Sequence, residues 1–111
     1  MSTKINLQTY LANKNLMDVN QPFTLIKRSG PIAMSWGCHA FTNLGNKALR
    51  FMVHGHHHTG HVYITLNGLD YYDVLLTTSK GTIIEEMNDI SWDELVERID
   101  VRIEKINSYQ F

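Results

Sequence analysis

A chain of 111 residues, 43% hydrophobic and 19% charged, has the balance of an ordinary globular protein. It is long enough for one domain with a real core and too short for two, so residues 1–111 are expected to form a single unit. The net charge is −1 and the Lys and Arg residues are scattered, with only Lys27 and Arg28 adjacent, which does not indicate duplex nucleic acid as a partner.

No apolar run approaches the roughly 20 residues of a membrane helix, so no membrane association is expected. The opening MSTKINLQTY lacks the apolar core of a secretory signal. The single cysteine, Cys38, excludes an internal disulfide and fits a reducing compartment. These features together predict a cytoplasmic protein.

In chain order, residues 3–17 carry Leu7, Tyr10 and Leu11 at helical spacing, with Ile5 and Leu16 less well placed, and predict an N-terminal helix. Residues 18–31 read as a connector ending in the turn signal Ser29-Gly30-Pro31, with a short edge strand at 23–27. From there to residue 87 the pattern predicts a sheet. Residues 32–42 form its first strand, and Asn43-Leu44-Gly45-Asn46 turns the chain. Residues 48–53 alternate Leu49, Phe51 and Val53 against Arg50 and Met52. Residues 56–66 place Val62, Ile64 and Leu66 on one face.

Asn67-Gly68 signals a hairpin. Residues 71–78 and 82–87 complete the sheet. Connections this short cannot be parallel crossovers, so the expected fold is α+β, an antiparallel meander of four to five strands. Residues 91–107 carry the clearest helical pattern. Trp92, Leu95, Val96, Ile99, Ile103 and Ile106 form one apolar stripe, with Val101 off it, and Ser91 and Glu94 match a capping box. This C-terminal amphipathic helix is expected to pack on one face of the sheet.

The stretch FMVHGHHHTGHVYITL, residues 51–66, holds five of the six histidines. With His54-Gly55 as a two-residue turn, Val53 faces His56, Met52 faces His57 and Phe51 faces His58. His56 and His58 then share a face with Phe51, Val53 and Val62. His57 and His61 share the other with Arg50, Met52 and Tyr63. If Thr42 pairs Lys47, Cys38 faces Phe51 and His39 faces Arg50. Histidines at i and i+2 on a strand can bind zinc when a third ligand stands nearby, which makes His56, His58 and Cys38 a metal-site alternative. Otherwise no cofactor is expected.

Adjacent Cys38 and His39 would point to opposite faces of a strand, so they do not make a nucleophile–base pair, and no catalytic residue is assigned. Trp36, Tyr63, Tyr71 and Tyr72 lie on predicted strands that one helix covers on one face only. A binding surface of Trp36, His39, Arg50, His57, His61, Tyr63 and Tyr71 follows, suited to a protein partner or a small ligand, or to a homodimer.

Ser35-Trp36-Gly37, residues 49–53 (LRFMV), Gly60-His61-Val62, Leu66-Asn67-Gly68 and Tyr72-Asp73-Val74 together resemble small uncharacterised proteins of gut Bacteroides-type bacteria and their phages. The likeness spans roughly residues 33–106 and carries no activity or catalytic residue. In that group the positions matching His56 to His58 are not consistently histidine. The resemblance implies a phage or mobile-element setting, the cytoplasm of a host cell, and inhibition of host defence as one role. The leading expectation is a non-enzymatic binding protein acting through its sheet surface. The rivals are a zinc-binding module and a small enzyme with a histidine general base, His39 or one of the clustered histidines.

Overall fold

The computed structural model describes residues 6–12, 14–55 and 58–103. Within them the chain runs α1 (Leu7–Ala12), α2 (Asn20–Arg28), α3 (Pro31–Ser35), β1 (His39–Asn43), β2 (Ala48–His54), β3 (Thr59–Leu66), β4 (Tyr72–Thr77), β5 (Ile83–Ile90) and α4 (Leu95–Ile103). The five strands form one antiparallel meander in sequence order, with a helix at each end of the chain, as the α+β expectation had it.

One face of the sheet presents Leu49, Phe51, Val53, Val62, Ile64, Val74, Leu76 and Met87 to a core closed by Ile26 of α2, Trp36, and Leu95, Ile99 and Ile103 of α4. The three α4 residues recur at i, i+4 and i+8, and each fully buried aliphatic side chain is worth about 2 kcal/mol. The indole of Trp36 lies parallel over Phe51, and its Nε1 donates to Asp100 Oδ1 at 2.9 Å, so Trp36 locks α4 to the start of the sheet. A half-exposed ion pair from Arg102 to Glu85 (3.0 Å) adds under about 1 kcal/mol.

The second face is also covered. Tyr10 of α1 meets Tyr63 edge to face, with ring centroids 6.3 Å apart, and its hydroxyl lies 3.4 Å from Thr65 Oγ1. Beyond α1 the chain crosses the strand ends, where Asn15 N donates to Leu66 O and Met17 N to Asn46 O. Every residue of β4 is buried as a result.

Several expected elements are corrected. Residues 20–28, read as connector and edge strand, form helix α2. Val19, Phe23 and Ile26 fall on one side of it, and Pro22 is tolerated because first-turn N–H groups have no intrahelical partner. The strand expected at 32–42 is instead helix α3 followed by β1. Pro31 opens α3, and Gly37, at φ 62°, ends the turn after it.

At the other end α4 begins at Leu95 rather than Trp92. Ser91 Oγ bonds Asp93 Oδ1 (2.7 Å) instead of capping, and the Glu94 carbonyl accepts the first helical bond, from Arg98 N. Trp92 therefore leaves the apolar stripe and stands 62% exposed. Ile106, expected on that stripe, lies outside the described residues.

Candidate functional site

A hollow of about 560 Å³ opens between α2, α3 and β1. Phe23, Ile26 and Lys27 of α2 form one wall, Gly30 and Met34 another, and Gly37, Cys38 and Phe41 the floor towards the sheet. Helical spacing puts Phe23, Ile26 and Lys27 together on α2. Phe41 is fixed by packing, since its ring meets Phe51 at 4.9 Å and Phe23 edge-on at 4.9 Å. The lining is almost wholly apolar. Among the described residues its single formal charge is Lys27, whose Nζ lies 5.2 Å from the centre of the Phe23 ring. A smaller hollow of about 160 Å³, bounded by Val19, Phe23, Phe41 and Leu49, extends it along β1.

Cys38 is half-buried in this lining, and burial pushes its thiol above the ordinary value. The thiol form therefore dominates at neutral pH, which suits a packing role better than nucleophilic attack. A bulge between His39 and Thr42, with Ala40 at φ 58°, shifts the expected pairing. His39 faces Met52 rather than Arg50, and Cys38 precedes β1 instead of facing Phe51. The exposed His39 ring holds its Nδ1 2.8 Å from the Gly37 carbonyl oxygen.

The histidine hairpin also differs from expectation. His54 pairs Thr59, Val53 pairs Gly60, Met52 pairs His61 and Phe51 pairs Val62. The connection is longer than a two-residue turn and is closed by Gly55 N donating to His58 O at 2.9 Å. Phe51 thus faces Val62 in place of His58, a shift by an even number of residues. Parity keeps His61 with Arg50, Met52 and Tyr63.

His58 is buried in the loop, with Nε2 3.3 Å from the His61 carbonyl oxygen, an arrangement in which the ring nitrogen donates. His56 and His57, named for the metal and surface readings respectively, lie outside the described residues. Among the described residues no three His, Cys, Asp or Glu side chains gather as a metal site. Burial is the first cause that lowers the pKa of both His58 and His61, and for His61 nearby Arg50 adds to it.

The expected surface residues separate. Trp36 is fully buried and Tyr63 is 3% exposed, because α4 and α1 cover the two faces on which they stand. Arg50 and His61 are half-buried on the second face, whereas Tyr71 is 43% exposed near Trp92. The residues missed from the sequence are those of α2 and α3, where the hollow lies. The apolar spacing of Val19, Phe23 and Ile26 was the available signal.

No family model, no curated protein and no solved structure matches this chain. No helix among the described residues is long and apolar enough to cross a membrane.

Proposed function

We propose that this chain is a non-enzymatic binding protein that takes a small, mainly apolar ligand in the hollow between α2, α3 and β1. The observation that carries this reading is the composition of that hollow. Concave, mostly apolar sites with a few placed polar groups are where small molecules bind, and here Phe23, Ile26, Met34 and Phe41 surround one cation, Lys27. The preferred ligand carries an anionic group that reaches Lys27 while its apolar body lies on the two phenylalanines. The inert setting of Cys38 supports binding over catalysis. A phage or mobile-element setting, with inhibition of host defence as the role, is supported by the sequence resemblance alone.

The test is titration with an anionic aromatic probe, 8-anilinonaphthalene-1-sulfonate, followed by fluorescence and calorimetry. One saturable site is expected. Lys27→Gln should weaken it several-fold, and Met34→Glu, at an exposed position on the hollow's rim, should abolish it. Equal binding to Met34→Glu and the parent chain would overturn the reading.

A further inference from the structure

A second hollow, of about 280 Å³, lies where the β3–β4 turn meets the β5–α4 junction. The two are brought together by the sheet, since Tyr72 at the start of β4 pairs with Ile90 at the end of β5. Three aromatic residues, Tyr71, Tyr72 and Trp92, line it together with Leu66, Gln21, Ser91 and Asp70. Trp92 and Gln21 also line an adjoining hollow that includes Asp18 and Arg28, so Trp92 stands between the two.

The β3–β4 turn on one side of the hollow is held by its own hydrogen bonds. Asn67 Oδ1 accepts from Leu69 N (2.9 Å) and Tyr71 N (3.2 Å), and Asp70 N donates to Asn67 O (3.1 Å). These bonds fix the backbone that presents Asp70 and Tyr71. Tyr72 forms a buried wall, and its hydroxyl is pushed up by burial first and then by the negative charge of nearby Asp18. Asp70 lines this hollow itself, whereas Asp18 lines the adjoining one together with Arg28. Among the described residues no Lys or Arg lines the Asp70 hollow, and Asp70 belongs to none of the ion pairs.

We infer that this hollow binds a small organic cation, an alkylated ammonium group held against Trp92, Tyr71 and Tyr72 with Asp70 at its edge. An anion is disfavoured by Asp70, and a strongly hydrated metal ion has no reason to prefer aromatic walls. An ammonium group with alkyl substituents gains from both features: the ring faces attract the cation, and the apolar surfaces exclude water from it. This site is separate from the hollow proposed above for an anionic, apolar ligand, and the two readings can fail independently.

The experiment compares choline with its neutral isostere, 3,3-dimethylbutan-1-ol, by calorimetry and ligand-observed NMR on the full chain. Choline should bind at one site at least tenfold more tightly than the isostere. Trp92→Ala and Asp70→Asn should each weaken choline about tenfold while leaving anilinonaphthalene sulfonate binding at the first hollow unchanged. Near-UV circular dichroism and a cooperative urea transition matching the parent chain show that the variants fold. A trimethyl-lysine peptide serves as the second arm. Tighter binding of the peptide than of choline assigns the cation to a protein side chain, and the reverse assigns it to a free small molecule. Equal affinity for choline and the isostere, or undiminished choline binding by a folded Trp92→Ala protein, would overturn the inference.

Discussion

Asp73 is buried on the second face of the sheet, yet its carboxylate is fully engaged. Lys14 Nζ donates to Oδ2 at 2.7 Å, and Asn67 Nδ2 and the Asp89 backbone N each donate to Oδ1 at 3.0 Å. One side chain thus ties the segment after α1 to the β3–β4 turn and to β5. Removing one partner of a buried pair leaves the other charge uncompensated, so Asp73→Ala should cost about 3 kcal/mol in urea denaturation. Lys14→Met in the Asp73→Ala background should recover part of that loss.

The imidazoles of His58 and His61 act through their protons. Both have folded-state pKa values below the ordinary histidine value, chiefly because burial disfavours the charged ring. The unfolded chain therefore binds more protons, and their stabilisation is fully present above about pH 6.5 and lost as pH falls through the lowered values. The denaturation midpoint should be lower at pH 5 than at pH 7.5, and a His58→Gln, His61→Gln protein should show a smaller drop. Cys38, whose raised pKa keeps it a thiol, should react with iodoacetamide at pH 8 more slowly than glutathione does.

Among elements, the histidine hairpin and α4 support each other through glycine. A side chain at Gly55 would collide with Ile103 Cγ2, and with the Ile103 carbonyl oxygen at 2.6 Å. Gly60, at φ 150°, lies against the Thr77 carbonyl oxygen on the neighbouring strand, where a methyl group would also collide. Gly60→Ala should destabilise the fold by about 2 kcal/mol or more, measured as a lower urea midpoint with an unchanged slope.

Elements with strong local signals were legible from sequence. Alternation over Leu49–Val53 and the Asn67-Gly68 turn specify the hairpins, and Leu95, Ile99 and Ile103 specify α4. Helices α2 and α3 were not legible. In α2, Pro22 and a run of aromatic and β-branched residues mask a helical spacing that depends on packing against the core. Five residues are too few for α3 to show any period. The bulge at Ala40 breaks alternation in β1, so the pocket residues Phe23, Met34, Cys38 and Phe41 all sit in segments that local pattern misreads. The second hollow escaped as well. The Asn67-Gly68 turn was readable, but the strand was expected to end at residue 87 and residues 91–94 were read as helix, and the meeting of the two segments depends on the long-range Tyr72–Ile90 pairing.

At the scale of the molecule, the five-stranded sheet is a three-layer arrangement with α2 and α4 on one face and α1 on the other. A second copy of the chain is not needed to shield Tyr63, because Tyr10 already does so. The cover is thin, however. Helix α1 is only six residues long, and isolated helices of that length are not stable in water, so α1 is held by the contacts of Tyr10, the Lys14–Asp73 pair and the Asn15–Leu66 bridge.

The Tyr10 ring packs edge to face on Tyr63, and burial there pushes its hydroxyl above the ordinary phenol range. Tyr10→Ala removes the aromatic contact but leaves the strand ladder intact. It should lower stability by about 2 kcal/mol and expose Tyr63. Amide hydrogen exchange should then rise across α1 and residues 14–17, while β3 and β4 amides, still paired on both sides, stay protected. Uniform loss of protection across the sheet would instead show that α1 folds as one unit with it.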